Sequence, residues 1–190
     1  MKVVTISLYN AKKRTNFINS QLNKQGIRHT IFRGLDNNQF QLKDKNHGKG
    51  LIGCYISHLL AWQNHANEGD YTIFLEDDYV LPDNFLSITE EYIKDLPEDN
   101  DISFLYWSKL GKSSYAKKSI NKTWNKSKGV WSTAALIVNN KSIQKLTNVL
   151  DKVYGHIDII LYEKGWNNEL NVYYLNNPVG GLGGLKSQIY

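Results

Sequence analysis

Apolar residues in this chain fall into two kinds of pattern. Short, nearly unbroken runs of β-branched and aromatic residues predict strands over residues 2–8, 29–35, 71–75, 101–107, 129–138 and 172–175. Segments with apolar residues three and four apart predict helices. One spans residues 11–25, with Phe17, Ile18 and Leu22 on one face and Gly26 as its stop. A second spans Leu51–Gln63, with Ile52, Ile56, Leu59 and Leu60 as the buried stripe and His58, Trp62 and His65 on another side. Residues 82–96 form a third, opened by Pro82 and carrying Phe85, Ile88, Tyr92, Ile93 and Leu96. Asn139-Asn140 caps a helix running through Leu150, and His156 starts the last one.

Strand, helix, strand at the start is the opening of an α/β fold, with a right-handed first crossover. Residues 108–128 show no sustained period and predict a long basic, mobile loop, the kind that closes over a ligand. Residues 176–190 form a glycine-rich tail that is expected to be flexible. No Pro/Ser-rich linker divides the chain, so residues 1–190 are read as a single domain.

Composition narrows the classes. A chain of 190 residues can bury a sizeable core, and no apolar run approaches the roughly 20 residues needed to span a bilayer. Its start is too short and strand-like for a signal peptide, and Cys54 is the lone cysteine, which together predict a cytoplasmic, reducing setting. The net charge of +5 is unevenly spread. No acid lies between Asp101 and Asp151, while lysines from Lys109 to Lys145 crowd that stretch. Such a face attracts phosphates or an anionic membrane surface, to which peripheral association is expected.

The candidate chemistry centres on Glu76-Asp77-Asp78, three carboxylates ending a buried strand. Crowded, desolvated acids repel one another and are stable mainly where a cation or a hydrogen-bond network compensates. In an extended strand Glu76 and Asp78 would share a face, with Asp77 on the other. Two carboxylates leave coordination positions for water and substrate phosphate, as Mg2+ and Mn2+ require. Without a metal, the same triplet reads as a helix-capping cluster. Asp158, at a predicted helix start, is either a general base or a first-turn acid favoured by the helix dipole. Ser57 and His58 are candidates for nucleotide or sugar contact, but as helix neighbours they diverge and make no nucleophile pair. Arg14 lies on the first helix, where phosphate or ribose would bind. Trp107, Trp124 and Trp131 border the basic loop and are candidates for an acceptor-sugar platform.

The ordered set is similar to glycosyltransferase family 25: an Arg-bearing first helix, Ile52-Gly53-Cys54-Tyr55-Ile56-Ser57-His58, then Leu75-Glu76-Asp77-Asp78, then Trp131–Val138 and Ile157-Asp158. The family includes lipooligosaccharide (lipopolysaccharide biosynthesis) and collagen galactosyltransferases, and the likeness covers most of residues 1–161. It implies a GT-A type, Rossmann-like α/β domain with a mixed, mainly parallel central sheet flanked by helices. It also implies a UDP-sugar donor (usually UDP-galactose), Mn2+ or Mg2+, and inversion at the anomeric carbon. The acceptor would be a hydroxyl on a glycan or a hydroxylated protein; no nucleic-acid partner is expected. By the same resemblance Glu76 and Asp78 hold the metal, Arg14, Gly53, Ser57, His58 and Asp77 shape the donor side, and Asp158 is the base. Ser7 stands where the family usually has Asn, Leu51 where an acid is common, and Gln188 where Asp is usual. The rival readings are a metal-dependent nucleotide or phosphodiester hydrolase and a non-catalytic module binding an anionic glycan.

Overall fold

The computed structural model describes residues 1–36, 48–108, 118–126 and 131–184. Among the described residues eight strands form one sheet: β1 (Lys2–Leu8), β2 (Thr30–Gly34), β3 (Tyr71–Glu76), β5 (Ile102–Phe104), β6 (Lys118–Ser119), β7 (Trp124–Lys126), β8 (Ala135–Asn139) and β9 (Val172–Leu175). Their order is β2-β1-β3-β8-β5-β9-β7-β6. Only β8 and β7 run against the other six, so the sheet is mixed and mainly parallel in direction. A two-residue strand β4 (Tyr79–Val80) pairs separately with β10 (Gly181–Leu182). The helices are α1 (Lys12–Lys24), α2 (Lys49–His65), α3 (Phe85–Lys94), α4 (Ile143–Val149) and α5 (Ile157–Trp166).

The strands read as unbroken apolar runs because both faces of the sheet are covered. Val4, Ile6, Phe74, Leu136 and Val138 point to one face, against Tyr55 and Trp62 of α2, Leu146 of α4 and Ile160 of α5. Their neighbours Val3, Ile73, Leu75, Ala135 and Ile137 point to the other, against Ile18 and Leu22 of α1 and Phe85 of α3. The period-2 alternation is intact, but apolar residues fill both phases. Among the described residues no helix is long and apolar enough to cross a membrane.

Several expectations need correction. In α2 the buried face is Tyr55, His58, Ala61 and Trp62, whereas Ile52, Ile56, Leu59 and Leu60 are only partly covered. The helix is apolar on most sides, so periodicity had little polar contrast to orient it. Pro82 lies before α3 rather than in its first turn; Asn84, at φ 58°, makes the bend. The 129–138 strand begins at Ala135, and the 101–107 strand ends at Phe104. Within the expected loop 108–128, Lys118–Ser119 and Trp124–Lys126 are sheet strands, while residues 109–117 and 127–128 lie outside the described residues. Trp124 is fully buried and its Nε1–H donates to the Tyr92 carbonyl at 2.9 Å, so it is core and no sugar platform. Lys126, Lys141 and Lys145 of the basic stretch pair with Asp99, Asp70 and Asp101, so these three are not free cations. The tail is not loose through Leu182: Tyr79 Oη donates to the Val179 carbonyl at 2.5 Å, and Gly183 N–H donates to the Asp78 carbonyl at 2.8 Å.

Candidate functional site

The chain leaves β1 to form β2 on one side and later β3 on the other. The carboxyl ends of β1 and β3 therefore border the point where strand order reverses, the place where open α/β sheets bind ligands. Ser7 and Glu76 sit there, and Ile6 and Glu76 are register partners. A small cavity of about 70 Å3 opens at this spot, lined by Ser7, Arg14, Cys54, His58, Glu76 and Asp77 among others.

The three acids do not share the arrangement expected of an extended strand. β3 stops at Glu76 and the chain turns at once, so Asp77 and Asp78 converge rather than alternate. Arg14 Nη2 binds Asp77 Oδ1 at 2.6 Å and Asp78 Oδ2 at 2.9 Å. Ser7 Oγ donates to Asp77 Oδ2 at 2.6 Å. Since Ser7 has one proton, Thr15 Oγ1, 2.7 Å away, donates to Ser7, and Arg33 Nη1 donates in turn to Thr15 at 3.2 Å. A run of donors thus reaches Asp77 from the α1 side. Burial nevertheless leaves its carboxyl raised, against the pull of Ser7 and Arg14.

Glu76 continues the series of β3 side chains facing α2. His58 Nε2 lies 3.2 Å from its Oε1, and Thr133 Oγ1 donates to the same oxygen at 2.6 Å. Burial raises the Glu76 carboxyl, but these two bonds together with the charges of His58 and Arg14 outweigh it, and the net shift is downward. His58 is 1% exposed, stacks edge-on against Trp62 at 5.7 Å, and its Nδ1 has no partner among the described residues. Cys54 lies one turn earlier on α2. Its thiol is raised by burial and by the nearby charges of Glu76, Asp158 and Asp78.

Asp78 is the least compensated of the three. Its Oδ1 is buried with no partner among the described residues. Burial, then the charge of Glu76, pushes the carboxyl up to about 6 despite Arg14. A buried, orphaned carboxylate oxygen beside a second carboxylate is a site short of positive charge, and it fits a hard divalent cation held by Asp78 and Glu76.

The remaining expected residues are placed as follows. Ser57 Oγ donates to the Gly53 carbonyl at 2.5 Å and accepts from the Leu35 N–H at 2.8 Å, tying α2 to the end of β2. Asp158, in the first turn of α5, accepts the Ser132 N–H at 2.9 Å on Oδ2 and the Ile159 N–H at 2.9 Å on Oδ1. It anchors Ser132, whose backbone is left-handed at φ 90°. The Trp107 Nε1–H donates to the Leu175 carbonyl at 2.8 Å, whereas Trp131 is 40% exposed. Sequence reasoning missed Ser7, Thr15 and Thr133 as site members. The signal for Ser7 was present: a hydroxyl next to the carboxyl end of a largely apolar first strand.

A family model for glycosyltransferase family 25 (LPS biosynthesis protein) matches residues 1–161. The lipooligosaccharide biosynthesis protein lex-1 of Haemophilus influenzae is 29% identical over 145 residues, covering 68% of this chain and 48% of that protein. The chain thus spans about half the length of the curated relative it matches. Among solved structures, a glycosyltransferase involved in glycosylation of the major capsid of PBCV-1 superposes with a TM-score of 0.59 at 9% identity, over 98% of this chain and 94% of that one. The galactosyltransferase LgtC, solved with donor and acceptor sugar analogs, has a TM-score of 0.52 at 14% identity, over 92% and 73%. A Drosophila β1,4-galactosyltransferase 7 mutant bound to manganese, UDP-Gal and xylobiose has a TM-score of 0.50 at 10% identity, over 96% and 67%. These likenesses fix the fold as the GT-A arrangement.

Proposed function

The chain belongs to glycosyltransferase family 25, and on that premise we propose that it transfers a hexose, galactose in our reading, from a UDP-sugar to an acceptor hydroxyl with inversion. The acceptor class is a glycan of the lipooligosaccharide type. One observation carries the reading: Asp78 is a half-buried, under-compensated carboxylate with one buried, unpartnered oxygen, in the turn just past Glu76 where the sheet order reverses.

Glu76 and Asp78 would hold Mn2+ or Mg2+. When bound, that ion supplies positive charge to the donor diphosphate and its leaving group. Arg14 bridges Asp77, which lines the cavity, to Asp78 beside it, and its buried Nε has no partner among the described residues. Thr133 and His58 fix the rotamer of Glu76. Asp158 takes the proton of the acceptor hydroxyl as that oxygen attacks the anomeric carbon and the bond to the diphosphate breaks. Each Asp158 oxygen accepts one backbone N–H, which leaves a lone pair on each for the incoming proton. Gly53 and Ser57 serve indirectly, by setting the distance between α2 and the end of β2.

The test is turnover of UDP-galactose with a lipooligosaccharide core acceptor, with Mn2+ and then with chelator, for wild type and Asp158→Asn. Expected are loss of turnover on chelation and, in Asp158→Asn, a fall in kcat of roughly 10^2 or more. Full rate in the variant at saturating acceptor assigns the base elsewhere. Full rate in chelator removes the metal role. Donor breakdown at the same rate without acceptor would instead favour a hydrolase.

A further inference from the structure

We propose that Cys54, His58 and Glu76 form a cation position of their own, suited to a borderline-soft divalent ion such as Zn2+. Cys54 and His58 are four residues apart on α2, so both side chains leave the same face of the helix. Glu76 comes to meet them from the end of β3. One ligand atom from each, a sulfur, an imidazole nitrogen and a carboxylate oxygen, lie within 4.8 Å of one another. A thiolate, an imidazole and a carboxylate are a zinc ligand set, and three protein ligands leave the fourth tetrahedral position open. The Asp78–Glu76 pair offers only oxygen ligands, which select hard ions instead, so the two positions differ in chemistry while sharing Glu76.

Two further observations support the site. All three residues line the same cavity, which gives an ion a way in. His58 is 1% exposed, yet one of its two ring nitrogens has no partner among the described residues, so the imidazole is not fully committed to the protein's own hydrogen bonds. On binding, the Cys54 thiol passes its proton to buffer and the thiolate takes the ion; His58 binds as the neutral imidazole. The proposal does not rest on the transfer reading, since binding is measured on the full chain with no sugar nucleotide present. Because Glu76 is shared, Zn2+ is expected to exclude the ion bound to Asp78.

The test uses Co2+ as a spectroscopic probe and Zn2+ in competition with a chromophoric chelator. Expected are one ion per chain and a thiolate-to-cobalt charge-transfer band, which can come only from Cys54. Cys54→Ser loses the band and binds Zn2+ about tenfold or more weakly, while its melting temperature reports that it is folded. His58→Gln weakens Zn2+ binding as well, and Asp78→Asn keeps both the band and the affinity. A wild-type spectrum showing only six-coordinate cobalt, or Zn2+ affinity unchanged in both Cys54→Ser and His58→Gln, overturns the proposal. Loss of Mn2+-dependent transfer alone leaves it standing.

Discussion

Glu76 and Asp78 are two residues apart and have opposite electrostatic fates. Glu76 ends β3 facing α2, where a hydroxyl and an imidazole bind one of its oxygens and lower its carboxyl. Asp78 lies past the turn, shares Arg14 with Asp77, keeps one oxygen orphaned, and is pushed up to about 6. The protein has stabilised the charge on the first and left it unstabilised on the second. A buried group whose charged form is poorly compensated is a candidate for function, because the fold alone does not account for it. On this comparison Glu76 is the fixed wall of the site, and Asp78 is the member waiting for a counter-charge.

Activity separates the two carboxylates most directly. Asp78→Ala removes the under-compensated carboxylate and is expected to lower UDP-sugar turnover by about 10^2–10^3-fold, the scale of losing a main electrostatic contact to a transition state. Thr133→Val, which removes only a hydrogen bond to Glu76, is expected to lower it by about tenfold, the effect of loosening a supporting residue. Steady-state kinetics at saturating Mn2+ measures both. Equal losses would mean that the two carboxylates are not differently used.

How much of this was legible beforehand depends on the kind of information each element carries. The strand cores and the βαβ opening were readable, because β-branched runs and the Gly26 stop are local signals. The acid triplet and Arg14 stood out as a candidate site because charge at the end of an apolar run is anomalous wherever it falls. The orientation of α2 was not, since an all-round apolar helix presents no polar face, and so His58 was assigned to the wrong side. The turn after Glu76 was not readable either. It depends on β4 pairing with β10, about a hundred residues along the chain, and on Gln21 bonding both the Tyr79 carbonyl and the Leu81 N–H. Gly-rich sequence near 180 looked flexible for the same reason: what holds it is distant partners, not local propensity.

That long-range clamp holds the Asp78 side of the rim and not the Glu76 side. Gly180 is left-handed at φ 71°, and a Cβ there would sit 2.4 Å from both Tyr79 Oη and the Val80 carbonyl. Gly180→Ala is expected to destabilise the fold by about 2–4 kcal/mol, from the backbone conformation plus the clash. If the clamp positions Asp78, the apparent Mn2+ affinity weakens as well, while the Co2+ spectrum of the Cys54–His58–Glu76 group is unchanged. Chemical denaturation and metal titration of the same variant read both effects. A variant that lost both metal responses equally would show that the two halves of the rim are not separable.

The smallest effect is the most specific. Raising the Asp78 carboxyl to about 6 means that the folded protein holds that proton more tightly than the unfolded chain does. Between the ordinary carboxylate range and about pH 6, the native state therefore binds more protons, and stability from this group falls as pH rises. The penalty is complete above that window and absent below it. Asp78→Asn removes the titration, so at pH 7.5 it should be more stable than wild type by on the order of 1–2 kcal/mol, with the gap closing towards pH 4. Glu76, shifted downward, acts in the opposite sense, but it is present in both proteins and largely cancels in the difference. Adding Mn2+ at pH 7.5 should raise the melting temperature of wild type by a few degrees and of the variant hardly at all, since bound cation relieves the same unmet charge. Thermal melts across pH, with and without Mn2+, decide it. A variant that is less stable than wild type at pH 7.5 would mean that Asp78 is already balanced by Arg14, and the contrast between the two carboxylates would then be geometric only.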